Sequence, residues 1–266
     1  MQKTLLITGI PRSGTSLITK LISKQQNTIC FSEPKWLKEI RHNNQNSEEF
    51  KNNLRQKIHQ IRNEIKNGNP VEITVERGTN YLPENYYNRR KNKIINLKET
   101  KKVYIEHSKD LILCVKSNVL FTSCIEALVN EDSWRIYSII RNPLFVLMSW
   151  RSLNIPISKG EIKIGEVYSQ EIRKIVKEED LLIKQVKILD WFFKTYFYYN
   201  KNIIKYEDLI NNPQGILNKL LNRDDSNKFN LKSKNNEINY NNNEKDTLLK
   251  AIENYAQNSR KIYYND

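Results

Sequence analysis

The chain has 266 residues, enough for an α/β domain with an appendage and a sizeable buried core. Hydrophobic residues make up 38% of it, which excludes a disordered chain, and Gly and Pro, at seven each, are too scarce for long linkers or a β-rich barrel. A formal net charge of +14 points to an anionic partner or to a Lys-rich solvated surface, but long Lys/Arg blocks and nucleic-acid-binding motifs are absent, so no nucleic-acid partner is expected.

Thr4–Gly9 (TLLITG) is a continuous apolar run, as in a strand buried on both faces. The loop Ile10–Gly14 follows, and Leu17, Ile18, Leu21 and Ile22 predict a helix over 16–23. Thr28–Ser32 (TICFS) predicts a short strand ended by Glu33-Pro34. Residues 35–70 are polar and mostly helical, with Leu54, Ile58, Ile61 and Ile65 spaced by three and four. A strand is predicted over Val71–Val75. Residues 76–110 carry no clear period, and Tyr81, Tyr86 and Tyr87 give them a loop-like, aromatic character.

Leu111–Val115 (LILCV) predicts a buried strand, ended by Lys116-Ser117-Asn118, and a helix is predicted over 120–129. Trp134–Ile140 (WRIYSII) predicts the next strand, broken at Arg141-Asn142-Pro143, with a helix over 144–153. A long amphipathic helix is predicted over 169–198 and a last short strand over 203–206. Residues 222–243 are Asn/Lys-rich and irregular, and Leu248, Leu249, Ile252, Tyr255, Ala256 and Ile262 form a closing helical stripe.

Strands alternating with helices imply a doubly wound parallel sheet flanked by helices, whose ligands bind beyond the carboxyl ends of the strands. The expected organisation is a single domain: an α/β unit over 1–221, and a 222–266 segment of irregular loop plus C-terminal helix packing on it. Cys30, Cys114 and Cys124 have no metal or CxxC spacing and are expected as free thiols in a reducing compartment. The first strand starts almost at Met1, leaving no room for a signal peptide, and no apolar run approaches the roughly 20 residues of a membrane span. A cytoplasmic protein without a transmembrane segment is the expectation.

The stretch LLITGIPRSGTSLITKLI, residues 5–22, has the frame of a nucleotide-binding P-loop, G-x-x-x-x-G-K-[ST], with Thr15 where the lysine belongs. Backbone N–H groups and a helix N-terminus still suit a compact tetrahedral anion there. A triphosphate–magnesium complex fits poorly without the lysine. The strand WRIYSII ends in Arg141, where a magnesium-holding P-loop enzyme would carry Asp, and a basic residue calls for an anion. Together these features describe a nucleotide with one phosphate in the loop and another near Arg141, with no metal between them.

These residues resemble the sulfotransferases that use 3′-phosphoadenosine 5′-phosphosulfate (PAPS), in the branch with a PRSGTS loop, related to bacterial, protein-tyrosine and carbohydrate sulfotransferases. The resemblance implies a P-loop-type fold and assigns the 5′-phosphosulfate to Arg12, Ser13, Gly14, Thr15 and Ser16. It assigns the 3′-phosphate to Arg141 and Ser149, the product being adenosine 3′,5′-bisphosphate. LILCVKS resembles the family's central strand ending in lysine, here Lys116. KYEDLINNP resembles a late segment whose tyrosine, here Tyr206, lies near the adenine. The matches run in order from about residue 4 to 221.

Sulfuryl transfer needs cations at the leaving phosphate and a base at the acceptor. Arg12 and Lys116 are the candidate cations. Asn118 stands where the small-molecule branch carries its histidine, and the resemblance to the PRSGT branch makes Glu33 the candidate base. Its alternative is a helix cap. Glu76, His42, His59 and His107 are reserves. Trp36, Trp150 and Arg151 are possible neighbours of the cleft, and residues 228–234 (KFNLKSK) are the local candidate for a basic loop over the nucleotide, without the usual glycines. The inserted 35–110 region and residues 154–180, both mostly polar, are expected to face a small-molecule or carbohydrate acceptor. A P-loop kinase with a degenerate motif and a non-enzymatic polyanion-binding module are the competing readings. Oligomeric state is not legible.

Overall fold

A computed structural model describes residues 3–41, 46–77, 82, 87–88, 93–94, 98–200, 202–224, 229–235 and 242–264. Its strands are β1 (Thr4–Gly9), β2 (Thr28–Ser32), β3 (Val71–Glu76), β4 (Tyr87–Asn88), β5 (Lys93–Ile94), β6 (Lys98–Val103), β7 (Ile112–Lys116), β8 (Arg135–Ile140) and β9 (Ile203–Lys205). Helices α1 (Thr15–Ser23), α2 (Lys35–Arg41), α3 (Ser47–Lys66), α4 (Val119–Ser123), α5 (Ile125–Val129) and α6 (Pro143–Arg151) precede a 3-10 turn at Pro156–Lys159. After it come α7 (Lys163–Tyr168), α8 (Gln170–Ile175), α9 (Leu181–Tyr199), α10 (Tyr206–Asn211), α11 (Pro213–Leu221), α12 (Asn242–Tyr255) and α13 (Gln257–Tyr263).

Five strands form one parallel sheet in the order β2-β7-β1-β8-β9. Their apolar runs are buried on both faces, and alternate residues feed two cores. Leu5, Ile7, Cys114 and Ile139 join α1 and α11 on one face; Leu6, Phe31, Val115 and Ile140 join α3, α9 and α12 on the other. Each fully buried Leu or Ile contributes roughly 1.5–3 kcal/mol. Because all five strands run the same way, their carboxyl ends share one edge of the sheet. The chain lays β1 first, then β2 and β7 to one side and β8 and β9 to the other. The loop after β1 is therefore flanked on both sides by the ends of later strands.

Several elements differ from the sequence expectation. The helix expected over 120–129 is two short helices, because Cys124, at φ −106° and ψ 12°, leaves helical geometry. The long helix expected over 169–198 is α8 and α9. Asp180 takes an extended conformation and its side chain accepts from the Ile183 N–H at 2.8 Å, so a strong N-cap overrides the continuous amphipathic pattern. The C-terminal stripe is α12 and α13, broken at the buried Ala256, and both pack on α9. Tyr206 opens α10 instead of ending β9.

β3 pairs antiparallel with β6 in a separate two-stranded sheet. β6 reads KETKKV, with too few apolar residues to announce a strand. Its pairing sets Glu72 opposite Lys102 and Thr74 opposite Thr100, cross-strand pairs of the favourable kind. Cys30 and Cys114 stand opposite each other on β2 and β7, and all three cysteines are free and buried. Burial pushes the Cys30 and Cys124 thiols up. Among the described residues, no helix is long and apolar enough to cross a membrane.

Candidate functional site

The loop after β1 is built by close packing. A Cβ on Gly9 would stand 2.5 Å from the Ile139 carbonyl, so only glycine lets β1 approach β8 there. Gly14 adopts φ +95° and precedes α1, and a Cβ there would fall 2.7 Å from Cδ2 of Tyr206. Gly14→Ala should therefore lower the melting temperature by about 2–8 °C, from roughly 1–2 kcal/mol of left-handed strain, with displacement of Tyr206 favouring the upper end. Differential scanning calorimetry checks this; an unchanged melting temperature would show that the turn relaxes freely.

Ser13 is fully buried and serves the loop itself. Its Oγ donates to the Ile139 carbonyl at 2.7 Å, and its N–H donates to the Ile10 carbonyl at 3.0 Å. Thr15 is buried against Gly9, while Ser16 is half-buried. The first N–H groups of α1 have no intrahelical acceptor, and its first turn holds no acidic residue, so the helix start favours an anion. Trp150 is fully buried beneath the loop and its Nε1 donates to the Pro11 carbonyl at 2.8 Å. Sequence reasoning left that anchoring role open, since only the packing of α6 under the loop reveals it.

On the β8–β9 side a cationic cluster meets the loop. Arg12 has φ +75° and its Nε donates to Ser149 Oγ at 3.3 Å; Ser149 itself is fully buried on α6. Arg141, at the end of β8, is buried, and its Nη1 donates to the Arg12 carbonyl at 3.1 Å. Its guanidinium stacks 4.6 Å from the Tyr206 ring centre, and its Nε donates to Asn235 Oδ1 at 2.7 Å. The Asn142 side chain caps α6 by accepting from Leu144 N–H at 3.0 Å, with Pro143 as the first helical residue, and this fixes the turn that carries Arg141 and Ser149.

The segment 229–235 lies against this cluster. Lys234 N–H donates to the Tyr206 hydroxyl at 3.0 Å, and Asn235 Nδ2 donates to Glu207 Oε1 at 3.1 Å. Glu207 also accepts from the Tyr263 hydroxyl and from Asn142 N–H at 3.4 Å, tying α13, β8 and the segment together. Burial first, and Glu207 second, hold the Tyr263 phenol well above its ordinary value. Lys228, at the start of the expected loop, lies outside the described residues.

On the β2–β7 side, Lys116 ends β7 and Glu33 follows β2. The Lys116 Nζ is almost fully buried and stands 3.0 Å from Glu33 Oε1, while about half of the Glu33 side chain is exposed. Glu33 N–H also donates to the Lys116 carbonyl at 2.8 Å, so the parallel ladder continues one residue past β2. Glu33 has φ +48°. Among the described non-glycine residues, Arg12, Asn27, Glu33 and Asn222 have positive φ; asparagine tolerates that region, arginine and glutamate do not. Such strain concentrates at functional sites, and no sequence pattern signals it.

Beside Glu33 opens a cleft of about 420 Å³. Glu33 and Pro11 contribute to its wall, together with Ile155, Ile157, Ile162 and Ile164. The reserves lie elsewhere. Arg151 reaches Glu244 and Gln185, not the cationic cluster. Glu76 pairs with Lys20 at 3.5 Å, Trp36 packs edge-on against Phe31, and His59 and His107 are exposed. His42 lies outside the described residues. No protein-family model matches the chain, and a search of curated proteins finds no match.

Proposed function

We propose that the chain is a metal-independent sulfotransferase of the P-loop type, moving a sulfuryl group from PAPS to a hydroxyl or amine. The observation that carries the reading is the contact between Arg141 and the glycine loop. A buried cation ends the strand beside β1 and touches the loop backbone, where a magnesium-dependent enzyme would place a carboxylate. The residues suit such a donor. The N–H groups opening α1 and the Arg12 side chain offer donors for the 5′-phosphosulfate. Arg141, with Ser149 beside Arg12, offers them for the 3′-phosphate, and the buried Tyr206 ring backs the Arg141 guanidinium.

When bound, the donor supplies an activated sulfuryl group on a phosphate that leaves. Arg12 and Lys116 stabilise negative charge growing on that phosphate. Glu33 is half-exposed beside the cleft, and its ion pair with Lys116 orients a carboxylate that accepts the acceptor's proton. On this reading the 3′-phosphate is held on the β8–β9 side of the loop, while Lys116 and Glu33 serve the leaving phosphate and the proton on the β2–β7 side.

Thermal shift tests the reading. At a hundredfold excess over its Kd, adenosine 3′,5′-bisphosphate without metal should add about 2.7 kcal/mol. That corresponds to a rise of about 5–10 °C. A shift with ATP–Mg²⁺ but none with the bisphosphate would replace this reading with a kinase.

A further inference from the structure

The cleft beside Glu33 carries information about the acceptor, and an inference from it rests on the sulfotransferase reading. Its wall is hydrocarbon. Ile155 precedes the 3-10 turn and Ile157 lies within it, Ile162 precedes α7 and Ile164 lies within it, and Val119 at the start of α4 joins them. Among the described lining residues none is aromatic, and the polar ones are Glu33, Asn118, Glu161 and Lys163. Glu33, Glu161 and Lys163 are exposed, whereas Ile157 and Ile162 are buried, so the apolar side chains form the inner part of the lining and the charged ones its solvent side. The residues expected to make a polar acceptor pocket instead alternate isoleucine with polar or turn residues, which places one apolar side toward the cleft.

We infer that the acceptor is an apolar alcohol: a hydroxyl carried on an aliphatic or alicyclic hydrocarbon body, with no other hydrogen-bonding group. The volume lies in the range of small-molecule sites, roughly 300–1,000 Å³. A sugar would leave several hydroxyls against isoleucine without partners, at a desolvation cost for each. A peptide would bring backbone N–H and C=O groups to the same wall. An apolar alcohol has one polar atom to satisfy, and Glu33 with Asn118 supplies polar groups on the lining for it. In the transfer the acceptor oxygen forms the new O–S bond. The S–O bond to the 5′-phosphate breaks with its electron pair left on the phosphate, and the hydroxyl proton passes to Glu33. The products are an alkyl sulfate and adenosine 3′,5′-bisphosphate.

The test is a straight-chain series from 1-butanol to 1-dodecanol, with cyclohexanol, N-acetylglucosamine and a tyrosine-containing peptide. Each is assayed for sulfate transfer from PAPS, and for binding by calorimetry with the bisphosphate present. Affinity should rise about fourfold per added methylene until the cleft is filled. Ile164→Glu should raise KM for 1-octanol at least tenfold with bisphosphate affinity unchanged. Ile155→Ala, a milder change at a half-buried position, should move the optimum to longer chains. An enzyme that binds the bisphosphate and sulfates the sugar or the peptide, but no alcohol, overturns this inference and leaves the sulfotransferase reading intact. An enzyme that neither binds the bisphosphate nor transfers sulfate overturns both.

Discussion

Arg141→Ala should raise KM for PAPS roughly ten- to a hundredfold. A charge-assisted hydrogen bond to phosphate is worth about 1.5–3 kcal/mol, and each 1.4 kcal/mol is a factor of ten. The substitution also removes a stacking partner of Tyr206 and the donors to Arg12 O and Asn235 Oδ1, so the 229–235 segment should loosen. Arg141→Lys separates the two effects. It keeps the charge but cannot reproduce the guanidinium's stacked, multiply bonded geometry. Steady-state kinetics with PAPS as the varied substrate, beside a melting curve for each variant, reads both. An unchanged KM in folded Arg141→Ala would remove Arg141 from the donor site and with it the main support for the proposed activity.

Glu33→Gln should lower kcat by about 10²–10⁴ while bisphosphate binding is retained, the range expected for losing a general base. Gln keeps a carbonyl acceptor for the Lys116 ammonium, so the nearly buried cation is not stranded and the fold should survive. The position follows from the strand ladder, because the Glu33 N–H is held by the Lys116 carbonyl at φ +48°. A variant with near-normal turnover would move proton transfer to another group. A variant that loses bisphosphate affinity would make the Glu33–Lys116 pair part of the donor site.

The contrast between these two residues says what kind of information each level holds. Both were identifiable from sequence as polar residues at the ends of apolar strands, since TICFS and WRIYSII announce their limits by where hydrophobicity stops. The role of Trp150 was not identifiable, because a tryptophan in an apolar helix looks the same whether it packs in the core or props a loop. Strand β6 escaped for the opposite reason, since KETKKV is paired for its charges and has little apolar pattern. The breaks at Cys124 and between α8 and α9 escaped because periodicity reports a face, while caps and backbone angles decide where a helix stops.

The isoleucines of 155–164 sat in a segment whose average is polar, and averaging concealed their alternation. Only the packed chain brings them beside Glu33. By itself the sequence determined the strands of the sheet, the glycine turn after β1 and the charged residues that end β2, β7 and β8. Tertiary structure alone decided that β1 lies between β7 and β8, so that Arg141 meets one side of the turn and Glu33 with Lys116 the other. The physical reason is that buried parallel strands carry similar apolar runs, so local pattern says that each is inside without saying which is its neighbour. That choice is made by crossover connections and helix packing on both faces, contacts between residues far apart in the chain.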